Sequence, residues 1–334
     1  MSNQKAYNNK NIVVIVVLPE KGEVKFDFLR RFQLKKAGVV FLLLETLRNV
    51  VEKDKTHILD SIVHKIYYRG KKNLAPWILQ KPAGRIGNTL YSAYDVTREF
   101  IKDFDEKTGR LIKEKKEAAC RAAICDCFGY SLTFSSEVSP SGEILTEDII
   151  KDLVYDWGDK AKEVLKSFGQ TFKRLVLFKD GDIKENERLL LSKILNEIRN
   201  ESKIRFEVYS VVKRRIERFF YNEGNLPPGT YILLDEDSIF LISSDIRHLR
   251  DKETGEEKFT IIPIYIKKEI SIGEFEKTID IKTIAQEFFD LTRLHWQSPR
   301  FKMKMCLPLQ LVQEMGEYAR RNLTFPHDIY YIPL

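Results

Sequence analysis

Arg174 to Glu187 reads RLVLFKDGDIKENE, and the order of residue types in it decides how the chain is taken. Leu175 to Phe178 is an unbroken apolar run, the mark of a strand covered on both faces rather than open to water on one. The run stops at Lys179-Asp180-Gly181-Asp182. A buried strand that closes on a carboxylate followed by Gly sets that carboxylate at the carboxyl edge of a sheet, where α/β proteins carry their sites. Leu189, Leu190, Ile194, Leu195 and Ile198 then recur at helical spacing over Glu185 to Asn200. Strand, acidic turn and helix make one α/β unit. Asp-Gly is also common turn chemistry, so Asp180 carries two readings, turn residue and site carboxylate. A second stretch, LYSAYDVTRE from Leu90 to Glu99, is strand-like and brings Asp95 to its end. Two strand-end carboxylates in one domain point to a shared metal or phosphate site.

The bulk numbers bound the class. A chain of 334 residues, 43% hydrophobic and 31% charged, is long enough for one large globular domain or two smaller ones. No apolar run approaches the roughly 20 residues of a membrane helix. The polar start MSNQKAYNNKN and the short apolar run after it do not make a signal peptide, so the expected location is cytoplasmic, with no membrane contact. The net charge of +7 suits a polyanionic partner. Cys120, Cys125 and Cys127 lie in the apolar stretch AACRAAICDCFGYSLTF at a spacing unlike a zinc knuckle, and read as buried strand thiols.

Along the chain, residues 1–11 are Asn- and Lys-rich and are expected to be disordered. Strands are expected at Ile12 to Leu18 and Val39 to Leu44, with helices over Phe26 to Lys36 and Thr56 to Arg69. This small β-α-β-α unit has a basic side that includes Arg30, Arg31, Lys35, Lys36, Lys65 and Arg69, either a solvated helix face or an anion site near element ends. Beyond a linker near Lys72 to Leu79, the Asp95 strand, the Cys-bearing strand and a strand near Tyr130 to Phe134 read as an antiparallel meander. A polar loop over Ser135 to Glu147 carries Glu137 and Glu143. A helix over Asp148 to Gly169 precedes the Asp180 strand. Ile204 to Val212 is a strand leading into Lys213-Arg214-Arg215, Thr230 to Leu234 and Ser238 to Ile242 form a hairpin, and Phe259 to Ile266 is a strand. Ile281 to Leu294 and Leu309 to Arg321 are helices.

Several of these pieces match one family in order: the stretch ending in PWIL, YDVTRE, RLVLFKDG followed by Glu187, VVKRR, IIPIYI, DLTRLHW, CLPLQL and an apolar carboxyl terminus. The chain resembles the MID-PIWI half of Argonaute proteins from about Ile12 to Leu334, in the short prokaryotic, archaeal-type form. The resemblance implies an α/β protein with a Rossmann-like MID domain over 12–80 and an RNase H-like PIWI domain over 81–334. It implies that the protein binds a short guide RNA or DNA and its complementary target. It further implies defence against invading nucleic acid alongside a separate effector protein.

The site residues follow from the same resemblance. Asp95 and Asp180 match the two catalytic Asp positions, and Glu143 (with Glu137 as the other candidate) matches the Glu that the family brings in on a loop. Counting from Leu307-Pro308 places the fourth ligand at Val312, which cannot hold a hard cation. Gln313, Glu314 and His295 stand near as substitutes. The catalytic set is therefore vestigial, Asp95 and Asp180 retain the means to hold one Mg2+, and no slicing is expected. A second possible place for Mg2+ is the guide's 5′ phosphate. In the MID part, Phe28, Arg31 or Phe32, Leu42 and Lys65 stand at the guide-pocket positions, and only Lys65 keeps the family's residue type. Arg31, Lys35, Lys65, Arg69, Lys213 and Arg214 are the expected nucleic-acid contacts. The carboxylate of Leu334 either joins the guide pocket or belongs to a frayed tail. Two other readings stand beside this one: an RNase H-like metal-dependent nuclease that cuts, and a scaffold that binds no nucleic acid.

Overall fold

The structure is a computed structural model that describes residues 13–18, 38–43, 89–104, 111–125, 131–139, 147–166, 173–202, 204–213, 226–244, 247–250, 257–260, 262–273, 279–294 and 304–320, with single positions between them. Near the start, β1 (Val13–Leu18) and β2 (Gly38–Leu43) pair in parallel, Val13 opposite Gly38 and Leu18 opposite Leu43. Of the two helices expected around this pair, little lies within the described residues: Ile62 is buried and Val63 exposed.

Most of the remaining elements build one sheet. Its strands are β3 (Thr89–Phe104), β4 (Leu111–Cys125), β5 (Ser131–Ser139), β6 (Arg174–Asp180), β7 (Arg205–Val212), β8 (Tyr231–Leu233), β9 (Ser238–Leu241) and β12 (Ile264–Ile272). They run in the order β5-β4-β3-β6-β7-β12-β9-β8. The centre is parallel: β6 lies between β3 and β7, with Thr89 beside Arg174 and Arg174 beside Arg205. Antiparallel strands flank it on both sides. A separate antiparallel pair joins β10 (Arg247–Arg250) to β11 (Glu257–Thr260).

Helices cover both faces. On one, α1 (Glu147–Lys166) and α2 (Glu185–Ser202) enclose Leu90, Tyr94, Leu175, Leu177, Phe206 and Val208 with Ile150, Leu153, Ile194 and Leu195. On the other, α3 (Ile281–Thr292) and α4 (Leu307–Arg320) enclose Tyr91, Ala93, Val176, Phe178, Tyr209 and Val211 with Phe288, Leu309 and Val312. The period of two in a strand sorts these sets, and burial on both sides is why β6 reads as a continuous apolar run.

The two ends of the parallel strands carry different polar groups. At the amino edge, Arg174 is wholly buried, donating 2.9 Å bonds to both oxygens of Glu287 and a 2.6 Å bond to Glu207. Arg205 pairs with Glu207 at 2.5 Å. Burial works against the Arg174 charge, but Glu287 and Glu207 outweigh it and hold the guanidinium firmly protonated. This network ties α3 to β6 and β7. The carboxyl edge holds the aspartates.

Three expectations need correcting. The strand placed at Phe259 to Ile266 is two strands, because Pro263 lacks an N–H and separates β11 from β12. The polar loop placed at Ser135 to Glu147 begins later, since β5 continues to Ser139 against β4; an edge strand tolerates its polar residues. The Asp95 strand does not stop at Glu99, as β3 and β4 pair out to Phe104 and Leu111. The hairpin of β8 and β9 and the antiparallel meander of β3, β4 and β5 form as expected.

Candidate functional site at the carboxyl edge of the sheet

Alternation assembles the site. Counting by two along β3 from Tyr91 and Ala93 gives Asp95, and along β6 from Val176 and Phe178 gives Asp180; counting along β7 from Tyr209 and Val211 gives Lys213. All three belong to the face that α3 and α4 cover. The parallel register pairs Tyr94 with Lys179, and one step further sets Asp95 beside Asp180. Gly181 ends β6 at φ 88°, and its N–H bonds to the Val211 carbonyl at 2.9 Å. The left-handed turn after Asp180 is one that Gly adopts without strain.

The polar contacts converge on Asp180. Its Oδ2 accepts from the ammonium of Lys213 and, at 3.0 Å, from the side-chain amide of Gln313 on α4. Lys213 is held from behind: its carbonyl accepts from Lys304 at 3.1 Å, and the Lys304 carbonyl accepts from Ser243 at 2.6 Å. Asp95 is half-buried, and burial first, then the charge of Asp180, pushes its carboxyl up to about 6, against the pull of Lys213. Across the antiparallel ladder Asp95 faces Arg121, a buried guanidinium that senses its charge.

On the opposite face, Tyr94 donates to Glu187 at 2.8 Å, and Lys179 pairs with Glu187 at 3.2 Å. Glu187 lies in the first turn of α2, where the helix dipole favours an acid. These bonds fix the start of α2 to β3 and β6 just behind the aspartates.

Val312 is fully buried in the apolar core under α4, so the position counted for a fourth ligand supplies none. The neighbouring Gln313 reaches Asp180, whereas Glu314 is buried and accepts from Gln310 at 2.9 Å. Glu137 lies in β5 with its side chain outside the described residues, and Leu42 likewise in β2. Glu143, His295, Phe28, Arg31, Phe32, Lys35, Lys65, Arg69, Arg214 and Leu334 lie outside the described residues. Cys120 and Cys125 are buried thiols that form no disulfide, and Cys127 is outside the described residues.

Sequence reasoning missed the roles of Gln313 and Lys213 toward Asp180. Lys213 was within reach of the strand period, being two residues beyond buried Val211. Gln313 was not: only the pitch of α4 over the strand ends turns it, rather than Val312, toward the aspartate. Mg2+ requires several oxygen ligands. Among the described residues no three of His, Cys, Asp and Glu come together, and the Asp180 oxygen is already engaged by two nitrogen donors. These residues do not fit a pair of divalent ions.

Fold and site together define a mixed α/β protein with two aspartates at one edge of its parallel core. The chain matches the Piwi domain over residues 13–247 and belongs to that family. Comparison with curated proteins gives no match. Among solved structures, the chain is similar to Clostridium butyricum Argonaute bound to a guide DNA and a 19-mer target DNA, with TM-score 0.66 and 17% identity over 95% of this chain and 38% of that one. It is similar to Marinitoga piezophila Argonaute in complex with 5′ OH guide RNA and target DNA, with TM-score 0.60 and 16% identity over 99% and 43%. Aquifex aeolicus Argonaute gives TM-score 0.56 and 20% identity over 95% and 40%. The chain thus spans about two-fifths of the length of these Argonautes. No described helix is long and apolar enough to cross a membrane.

Proposed function

We propose that this chain uses a short guide strand to recognise a complementary nucleic acid, and holds the target without cutting it. The observation that carries this reading is the engagement of Asp180 by Lys213 and Gln313, in a Piwi-domain chain whose fourth-ligand position is the buried Val312. Cutting by two metal ions requires carboxylates free to hold both ions against the attacking and leaving oxygens. A lysine and an amide on one of those carboxylates work against that. The Argonautes that share the fold are seen with guide and target strands, which supports the same ligands here.

In this reading residues 12–80 form a MID-like domain and residues 81–334 the PIWI domain. Arg31, Lys35, Lys65 and Arg69 contact guide phosphates in the first. A separate effector protein turns recognition into defence. The slicing alternative is favoured by one observation, the placement of Asp95 beside Asp180.

The experiment is retention of a labelled target by guide-loaded protein across a salt series. A matched target is retained and a scrambled one is not. For a DNA duplex, affinity falls with a log-log slope of roughly −0.9 per phosphate neutralised. Retention indifferent to the guide sequence contradicts the reading.

A further inference from the structure

We infer that the ammonium of Lys213 takes the place of a divalent ion at the Asp95–Asp180 edge, so that the site is charge-balanced and closed to metal before nucleic acid arrives. The inference rests on the proposed reading that this edge faces a nucleic-acid backbone without cutting it, and adds what does the ion's electrostatic work.

Two aspartates side by side repel each other and repel phosphate, and a metal-dependent site relieves both with bound cations. Here two fixed cations stand against the two carboxylates: Lys213 bonded to Asp180, and Arg121 opposite Asp95. The lysine is not a surface side chain that happens to fold over. Strand alternation aims it inward from the end of β7, Lys304 donates to its backbone carbonyl, and Ser243 in turn holds the backbone of Lys304. Gln313 adds a neutral donor to the same Asp180 oxygen, where a carboxylate would add a ligand. An incoming divalent ion must displace both the ammonium and the amide to reach Oδ2 of Asp180, and at the other oxygen it still meets the nearby positive charge, whereas a phosphate meets an edge already neutralised.

Mn2+ binding to the full chain without guide, read by electron paramagnetic resonance, tests this. Wild type and Asp180→Asn should bind Mn2+ alike, since the site takes none. Gln313→Asp supplies a third carboxylate while Lys213 remains, and Gln313→Asp with Lys213→Ala supplies it without the lysine. The double variant should bind roughly tenfold tighter or more, the effect of removing one nearby like charge. Wild-type binding that Asp180→Asn abolishes, or equal affinity in the two Gln313→Asp proteins, overturns the inference. Should those variants fail to fold, wild-type melting curves in Mn2+ and in EDTA decide it. Coincident curves support the lysine's role, and a Mn2+ stabilisation lost in Asp180→Asn overturns it. Cutting of a guide-paired target is scored separately, so the failure of the non-cutting reading is distinguishable from failure of the lysine's role.

Discussion

The side-chain ammonium of Lys213 is bonded to Oδ2 of Asp180, with both side chains mostly shielded from water. A pair so placed couples two elements that are distant in sequence, the end of β6 and the end of β7. Lys213→Ala leaves Asp180 beside Asp95 with less compensation and should destabilise the protein. In a double-mutant cycle with Asp180→Ala, the coupling should be about 0.5–3 kcal/mol, the range for contacting residues in one network. Urea unfolding of the four proteins measures it. Strict additivity would show that the pair is as weak as an exposed one.

The amino edge predicts a larger effect. Arg174→Met removes the cation shared by Glu207 and Glu287; Glu207 keeps Arg205, and buried Glu287 is left without its ion-pair partner. The expected cost is about 3–5 kcal/mol, as for other buried pairs broken on one side. Adding Glu287→Gln to Arg174→Met should restore part of it, because the second change removes a stranded charge. A double variant less stable than Arg174→Met would contradict this account of the network.

Much of this architecture was legible in the sequence. The apolar run Leu175 to Phe178 marks a central strand because it is buried on both faces, and Asp180 is readable as its closing carboxylate. Asp95 reads as a strand-end carboxylate too, but it lies inside β3 and comes to the edge of the parallel core because β6 stops beside it. The chemistry of the edge was less legible. Val312 is countable from Leu307-Pro308, but the residue that touches Asp180 is Gln313, and only the crossing of α4 over the strand ends selects it. Lys213 reads in the sequence as the first of three basic residues and a nucleic-acid contact, whereas the strand period turns it onto the aspartate. The length of β3 and β4 was hidden too. Beyond Glu99 their charged residues carry no apolar alternation, and what holds them in strand is their mutual backbone pairing.

Helix α3 begins at a cap that titrates. Asp280 accepts from the backbone N–H of Thr283 at 2.8 Å; the side chain of Thr283 first, and then that backbone bond, lower its pKa. Asp280→Ala should cost about 1 kcal/mol at neutral pH, as for other caps. The sign of the pH effect follows from the lowered value. The stabilisation is present above the unfolded pKa of about 3.9 and is lost as pH falls through the lower folded value. The stability gap between wild type and Asp280→Ala should therefore narrow only below about pH 4. A gap that widens on acidification contradicts the cap.

Gly181 sits directly after Asp180 at φ 88°, and an added Cβ there would meet no atom within 4 Å. Gly181→Ala should thus cost about 1–2 kcal/mol through backbone strain alone, with no packing contribution. Thermal melts of Gly181→Ala beside Gly181→Asn check this, since Asn tolerates the left-handed region better. Equal loss in the two would mean that the conformation is not what the position demands.

The most direct test of the account is a single-turnover assay with guide-loaded protein, a matched end-labelled target and Mg2+ or Mn2+. The account predicts that the target stays bound and intact, in wild type and in Asp180→Ala alike. Cleavage opposite the middle of the guide that disappears in Asp180→Ala would contradict it.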